Sequence, residues 1–180
     1  MKKRALPVLI AICLLITGAL PASAVGIDEV KVTKPVKNVI MMIPDGMSTD
    51  VVTLSRWYAG GEALNLDEMA CGLVRTYSSD AAIADSAPAG TAFATGYKSH
   101  TGYVGVLPDV NSMPGLPALK ESEKKAPVAT TLEAARLAGK ATGLVATSEI
   151  MHATPADISS HYASRKAYDI LSMQQVYQDI

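Results

Sequence analysis

The chain has 180 residues, of which 49% are hydrophobic, 18% are charged and 5% are aromatic, and its formal net charge is −1. This composition excludes a disordered tail, a collagen-like repeat and a strongly basic nucleic-acid-binding protein. We therefore expect a globular protein that does not bind nucleic acid.

Residues 1–24 have the pattern of a secretory signal peptide. Three basic residues at 2–4 precede an apolar run at 5–20, and small residues lead to Ala24. The run is short for a transmembrane helix and is interrupted by Pro7 and Gly18. We predict cleavage after Ala24, a secreted or periplasmic protein of residues 25–180, and no stable membrane anchor.

The cysteine count excludes an internal disulfide framework in the exported part of the chain. Cys13 lies in the predicted signal peptide, which leaves Cys71 unpaired. Apolar neighbours surround Cys71, and they predict a buried, inert thiol.

The first half of the chain alternates apolar runs with helical segments. Residues 39–43 form an unbroken apolar run typical of a strand that is buried on both faces. A helix is predicted over 49–58, where Gly60 follows, and a short helix over 66–70. A second strand is predicted over 73–77.

The second half continues the alternation. Small residues fill 81–96, where a helix is predicted to open at Ser86, and residues 99–122 are predicted to be a loop. Helical spacing predicts a helix from Val128 that ends at Gly139. A strand is then predicted over 141–146.

Two further helices are predicted at the end of the chain. Pro155 suits the first turn of a helix that runs towards Ala163, with Thr154 as its N-cap, and a last helix covers 170–177. The alternation predicts an α/β fold, a largely parallel sheet with helices on both faces. Ligands of such sheets bind at the carboxyl ends of the strands.

Two segments at that edge carry candidate chemistry. Asp45 follows the first predicted strand, where it could bind a metal or simply cap the next helix. Ser86, next to Asp85, stands at a predicted helix start, where an anion would meet free backbone N–H groups. An ordinary N-cap explains Asp85 or Ser86 equally well.

Four separated motifs then resemble the metal-dependent alkaline phosphatases. They are Asp45 after an apolar strand, Asp85-Ser86-Ala87 at a helix start, the segment 147–156, and Arg165. The resemblance runs from about residue 37 to residue 166, in the family's order and spacing. It implies hydrolysis of phosphate monoesters through a phosphoserine.

The resemblance implies roles for individual residues around the phosphate. Ser86 resembles the nucleophile, Arg165 resembles the guanidinium that clamps the phosphate, and Asp85 matches the residue that orients this arginine. The planar guanidinium suits two phosphate oxygens at once. A solvated surface arginine is the alternative for Arg165.

The resemblance also implies Zn²⁺ and Mg²⁺ as cofactors. Asp45 looks like the carboxylate that bridges a zinc and the magnesium, Ser86 like a zinc ligand, and Thr154 like a magnesium ligand. His152 falls near the magnesium site, where family members differ; we expect it to act without binding the metal directly, and a solvated histidine is the alternative. His100 and His161 match no ligand position.

Family enzymes are considerably longer and take their other metal ligands from later in the sequence. We therefore expect this chain to be the N-terminal part of a catalytic domain, without turnover by itself. A homodimer is expected for the full-length enzyme.

Two alternatives remain open. A sulfatase of the same superfamily would need an arginine where this chain has Gly90. A secreted fragment that binds phosphate or metal without turnover differs from a phosphatase in a nitrophenyl-phosphate assay with added zinc.

Overall fold

The computed structural model describes residues 36–180 and divides the chain into two units, Met1–Met42 and Ile43–Ile180. Among the described residues of the first unit, 36–42, no helix or strand forms and Ile40 is 85% exposed. The predicted signal peptide lies outside the described residues. Within 36–180, no helix is long and apolar enough to cross a membrane.

The described part of the second unit is built on helices. The α-helices are α1 (Thr49–Tyr58), α2 (Ser86–Thr95), α3 (Thr131–Leu137), α4 (Ala153–Ser159) and α5 (Tyr168–Tyr177), with 3-10 turns at Asp67–Met69 and Glu121–Glu123. The predicted helices over 49–58, at Ser86, before Gly139 and over 170–177 are therefore confirmed, within a few residues at their ends.

Local chemistry explains several of the helix ends. The Ser48 hydroxyl accepts a hydrogen bond from the Val51 N–H at the start of α1. Thr130 and Glu133 form a reciprocal capping box at the start of α3. Gly96 ends α2 at a φ of 80°, a left-handed conformation that favours glycine.

The predicted start of α4 is corrected by the structure. The helix begins at Ala153, and the residue before it is His152, so Thr154 is inside the first turn and is not the N-cap. The Thr154 hydroxyl donates a hydrogen bond to Asp45 instead of accepting one from a helix N–H group as an N-cap would. The helix ends at Ser159 rather than near Ala163, because Ser160 turns into an extended conformation.

The predicted parallel sheet is not seen in the described part of the chain. Residues 36–180 contain two isolated antiparallel bridges, Val104 with Tyr162 and Val106 with Pro127. The segments predicted as strands are irregular, and apolar residues in them are exposed, Leu73 at 93% and Val145 at 102%. A strand needs neighbouring backbone to satisfy its N–H and C=O groups, and within residues 36–180 these segments have no adjacent strand.

Cys71 is likewise exposed, so the prediction of a buried thiol is wrong. It lies in the irregular stretch between the 3-10 turn and the segment over 73–77, where no helix of the described residues covers it. An apolar sequence context did not ensure burial, because burial depends on a packing partner.

A small core holds α2, α4 and α5 together. The fully buried apolar residues that form it are Ala87, Val104, Ala153, Ala156 and Leu171, with Met151 packed against them. Most of these side chains are small, which allows the helix backbones to approach closely. Helix α2 packs most extensively against α4, and this contact places Ser86 and Thr154 at the same end of the helix pair.

We predict that Thr130→Ala destabilises the fold by about 2–3 kcal/mol. The Thr130 hydroxyl accepts the Glu133 N–H at 3.2 Å and donates to the Ile158 carbonyl at 2.7 Å, and the residue is 1% exposed. Alanine removes the cap and leaves a carbonyl without its donor. The free energy of unfolding in urea measures the loss.

Two control variants separate these effects. Ser48→Ala removes an exposed cap from α1 and should cost about 1 kcal/mol or less. Thr130→Ser keeps the hydroxyl and should retain most of the stability. Equal losses for Thr130→Ala and Ser48→Ala would contradict the role given to the buried hydrogen bond.

Candidate functional site

The N-terminus of α2 presents Ser86 as the first residue of a ten-residue helix. Asp85 precedes it in an extended conformation, and its side chain makes no capping hydrogen bond to the helix. The first N–H groups of the helix therefore remain available, and the helix dipole favours an anion at this end. Ser86 itself is half-buried.

The Asp85 carboxylate is engaged by Arg165. The guanidinium Nη1 donates to Asp85 Oδ2 at 2.9 Å, and the two side chains are 23% and 31% exposed. This ion pair joins two residues 80 positions apart in the sequence. It fixes the guanidinium beside the start of α2, where the sequence analysis expected a phosphate clamp.

Gly102 supports both partners of this pair through its backbone. Its N–H donates to Asp85 Oδ1 at 3.3 Å, and its carbonyl accepts the Arg165 backbone N–H at 2.7 Å. Gly102 has a φ of 78°, which a glycine adopts readily. The sequence analysis missed this residue, although a glycine in a predicted loop is a turn signal.

His152 lies against the other side of the guanidinium. Arg165 Nη2 donates to His152 Nε2 at 3.2 Å. Tyr168 meets the same imidazole edge-on, with ring centroids 6.4 Å apart. His152 thus contacts the residue expected to bind the phosphate.

Asp45 and Thr154 form a second contact beside Ser86. Thr154 Oγ1 donates to Asp45 Oδ2 at 2.6 Å. This hydrogen bond is the largest cause that holds the pKa of Asp45 below its ordinary value; the Ser86 hydroxyl and Arg165 act in the same direction, and partial burial opposes them. The structure therefore brings together all the residues predicted to form the site.

The donors of this site suit one class of metal better than another. Asp45, Ser86 and Thr154 offer oxygen atoms, and Mg²⁺ binds oxygen and commonly takes one or two carboxylates while keeping several waters. Zinc takes about four protein or water ligands and favours nitrogen and sulfur. Within residues 36–180, no group of three or more His, Cys, Asp or Glu residues could hold a metal ion. The described residues thus fit Mg²⁺ and do not complete a zinc site.

Behind the site lies a buried carboxyl group that the sequence analysis missed. Asp157 on α4 is fully buried against α2, and its Oδ1 lies 3.1 Å from Thr91 Oγ1. Burial raises the pKa of Asp157 well above its ordinary value, and the nearby Asp85 adds to the effect, whereas Thr91 lowers it. An aspartate on a short helix is normally interpreted as a surface residue, so local sequence carries no signal of its burial.

His100 and His161 lie outside this cluster. The two ring nitrogens of His161 face the Gly105 carbonyl at 2.6 Å and Glu133 at 2.8 Å. His100 faces Asp80 at 3.4 Å. These contacts join each histidine to neighbouring protein groups outside the cluster.

Comparison with known proteins identifies a family for most of the chain. The sequence profile described as alkaline phosphatase matches residues 36–179. The chain is 40% identical over 146 residues to the alkaline phosphatase of Schizosaccharomyces pombe, covering 78% of this chain and 25% of that protein. It is 38% identical over 147 residues to the alkaline phosphatase of Escherichia coli K12, covering 75% and 28%. The chain thus spans about a quarter of the length of these relatives.

Solved structures give the same result. The cold-active alkaline phosphatase of Shewanella sp. matches with a TM-score of 0.65 and 28% identity, covering 77% of this chain and 33% of that one. A mutant alkaline phosphatase from the Antarctic bacterium TAB5, with Mg bound in its M3 site, matches with a TM-score of 0.62 and 29% identity, covering 76% and 35%.

We predict that Asp157→Asn changes how stability depends on pH. Because the folded-state pKa is raised, the folded chain keeps a proton that the unfolded chain loses above about pH 4. The free energy of unfolding of the unmutated chain should therefore fall as pH rises, by up to about 1.4 kcal/mol per pH unit from this group, until the folded-state pKa is passed.

The asparagine variant stays neutral, so its free energy of unfolding does not fall with pH in this way. Its stability relative to the unmutated chain should therefore increase as pH rises from about 4 to neutral. Urea unfolding at several pH values measures the difference, and the exposed Asp50→Asn is the matched control. A difference that stays constant with pH would show that Asp157 is not buried as a neutral acid.

Proposed function

The chain belongs to the alkaline phosphatase family, and we propose that it supplies the nucleophile and the phosphate-binding residues for hydrolysis of phosphate monoesters. The observation that carries this proposal is the Asp85–Arg165 ion pair beside Ser86 at the open N-terminus of α2. A cation, free N–H groups and the Ser86 hydroxyl around one position support this assignment.

In this proposal, the phosphate group binds between α2 and Arg165. Its oxygens accept hydrogen bonds from the first N–H groups of the helix and from the N–H groups of Arg165 that Asp85 and His152 leave free. Because Asp85 holds the guanidinium and Gly102 holds both Asp85 and the Arg165 backbone, little side-chain entropy is lost when the phosphate binds.

The Ser86 hydroxyl then attacks phosphorus. The new Ser86 Oγ–P bond forms as the bond to the ester oxygen breaks, and the alcohol leaves with a proton. Water hydrolyses the phosphoserine in a second displacement and restores the Ser86 hydroxyl. Arg165 stabilises the charge on the equatorial oxygens in both transition states.

Asp45, Thr154 and Ser86 would hold a Mg²⁺ ion through their oxygen atoms. A bound divalent cation makes a serine hydroxyl easier to ionise and neutralises charge on the phosphoryl group. The lowered pKa of Asp45 keeps it ionised at neutral pH, as a metal-binding carboxylate requires. Zinc, which the family resemblance implies, would need ligands besides the described residues, and no step above depends on it.

We extend the proposal to the fold and to export. The apolar segments 39–43, 73–77 and 141–146 would pair as strands of a largely parallel sheet; their exposure is costly without such a partner, and the similarity to solved alkaline phosphatases supports this arrangement. The basic, apolar and small-residue pattern of residues 1–24 supports export with cleavage after Ala24.

The role of Ser86 can be tested in a chimera. Residues 36–179 replace the matching segment of the E. coli K12 enzyme, to which the chain is 38% identical. With zinc and magnesium added, the chimera should take up labelled phosphate that survives acid trapping, and Ser86→Ala should abolish this label because no hydroxyl is left to attack phosphorus.

The matched control is Ser122→Ala, which removes an exposed hydroxyl outside the site. It should leave the label unchanged. A folded chimera that takes up no label, or a label that persists in Ser86→Ala, would contradict the assignment of the nucleophile.

We predict that Arg165→Lys weakens the binding of inorganic phosphate to the chain by about tenfold or more. Lysine keeps the charge but loses the planar fork, and a charge-assisted hydrogen bond is worth about 1.5–3 kcal/mol. Titration followed by NMR gives the dissociation constant.

Arg136→Lys is the matched control, because this exposed arginine lies on α3 and pairs loosely with Asp179 at 3.9 Å. Its phosphate affinity should equal that of the unmutated chain. Equal affinities for Arg165→Lys and Arg136→Lys would count against the clamp.

A further inference from the structure

The backbone of α2 at Gly90 contacts the side chain of Asp157 on α4. A Cβ atom added at Gly90 would collide with the Asp157 carboxyl and would lie 3.0 Å from its Cγ. Gly90 and Asp157 are both fully or nearly fully buried. The carboxyl group of α4 thus rests directly on the backbone of α2, and the absence of a side chain at Gly90 makes room for it.

A hydrogen-bonded threonine holds the carboxyl group in this place. Thr91 Oγ1 lies 3.1 Å from Asp157 Oδ1, accepts the Gly105 N–H at 2.9 Å, and lies 3.4 Å from the Tyr103 carbonyl. The Thr91 hydroxyl donates to Asp157 Oδ1. Burial is the chief cause that raises the pKa of Asp157, and it favours the neutral form of this carboxyl group.

This contact lies one helical turn behind the site. Gly90 follows Ser86 by four residues on α2, and Asp157 follows Thr154 by three residues on α4. Three of the other buried residues on the two helices are alanines, Ala87, Ala153 and Ala156, which have short side chains. The Asp157 carboxyl is the group that reaches the backbone of α2 at Gly90.

We propose that Asp157 is a positioning residue: its carboxyl group, seated on Gly90 and hydrogen-bonded to Thr91, sets the separation between the helix that begins at Ser86 and the helix that carries Thr154. Its consequence for phosphate binding rests on the proposed function. The spacing itself does not, because it follows from the packing of α2 against α4.

A double-mutant cycle on the chain tests the proposal. Gly90→Ala should force the helices apart, shift the backbone amide NMR signals of Ser86 and Thr154, and weaken the binding of inorganic phosphate by about tenfold. Asp157→Ala removes the obstacle. In the Gly90→Ala, Asp157→Ala double variant, the amide signals should return towards their original positions and the affinity to within about threefold of the unmutated chain.

Gly143→Ala is the matched control, because a Cβ atom there meets open space and the glycine has an ordinary φ. It should shift neither amide signal. If Gly90→Ala alone fails to fold, folding of the double variant is itself the rescue that the proposal requires.

The outcomes separate the two proposals. Additive effects of the two substitutions on the amide signals, or a double variant no better folded than Gly90→Ala, would overturn the positioning role. If the unmutated chain binds no phosphate, the proposed function fails, whereas the amide signals of Ser86 and Thr154 still decide whether Asp157 sets the spacing.

Discussion

The close contact of α2 with α4 is the constraint on which the rest of the site depends. Ser86 and Thr154 lie 68 positions apart in the sequence, and neither reaches the other unless the two helix backbones approach closely. Small residues and Gly90 permit this approach, while the buried Asp157 limits it. A larger residue on this face would separate the nucleophile from the residues around Asp45, because protein interiors have little free volume to absorb it.

The Gly102 turn adds a second constraint, which acts on the phosphate-binding side. Its N–H and C=O groups hold Asp85 and the Arg165 backbone at the same time. The adjacent Thr101 N–H donates to Asp80 at 3.0 Å, so the same turn also anchors the segment that leads to Ser86. Three stretches of chain are thereby fixed to one another by backbone groups, whose positions do not depend on rotamers.

The sequence predicted most of the helices and the residues that the structure brings together around Ser86. It did not predict the contacts of Gly102 and Asp157 that hold these residues in place. Helix α3 and the start of α2 were recognised because helical spacing and small residues are local signals. The strands were not formed in the described chain, because a strand depends on a neighbour that local sequence does not contain. Asp157 and Gly102 were missed for a related reason, since their roles exist only through Thr91, Asp85 and Arg165, which are distant in sequence.

The two helices that begin at the site lack the side-chain caps that begin α1 and α3. Away from it, α1 and α3 begin with side-chain caps from Ser48 and Thr130. Helices α2 and α4 begin without such a hydrogen bond, although Asp85 is a residue type that commonly caps helices. A cap is worth about 1 kcal/mol. Asp85 instead binds Arg165, so the first N–H groups of α2 stay open and a cation is fixed beside them. Both features favour the binding of an anion at the start of α2.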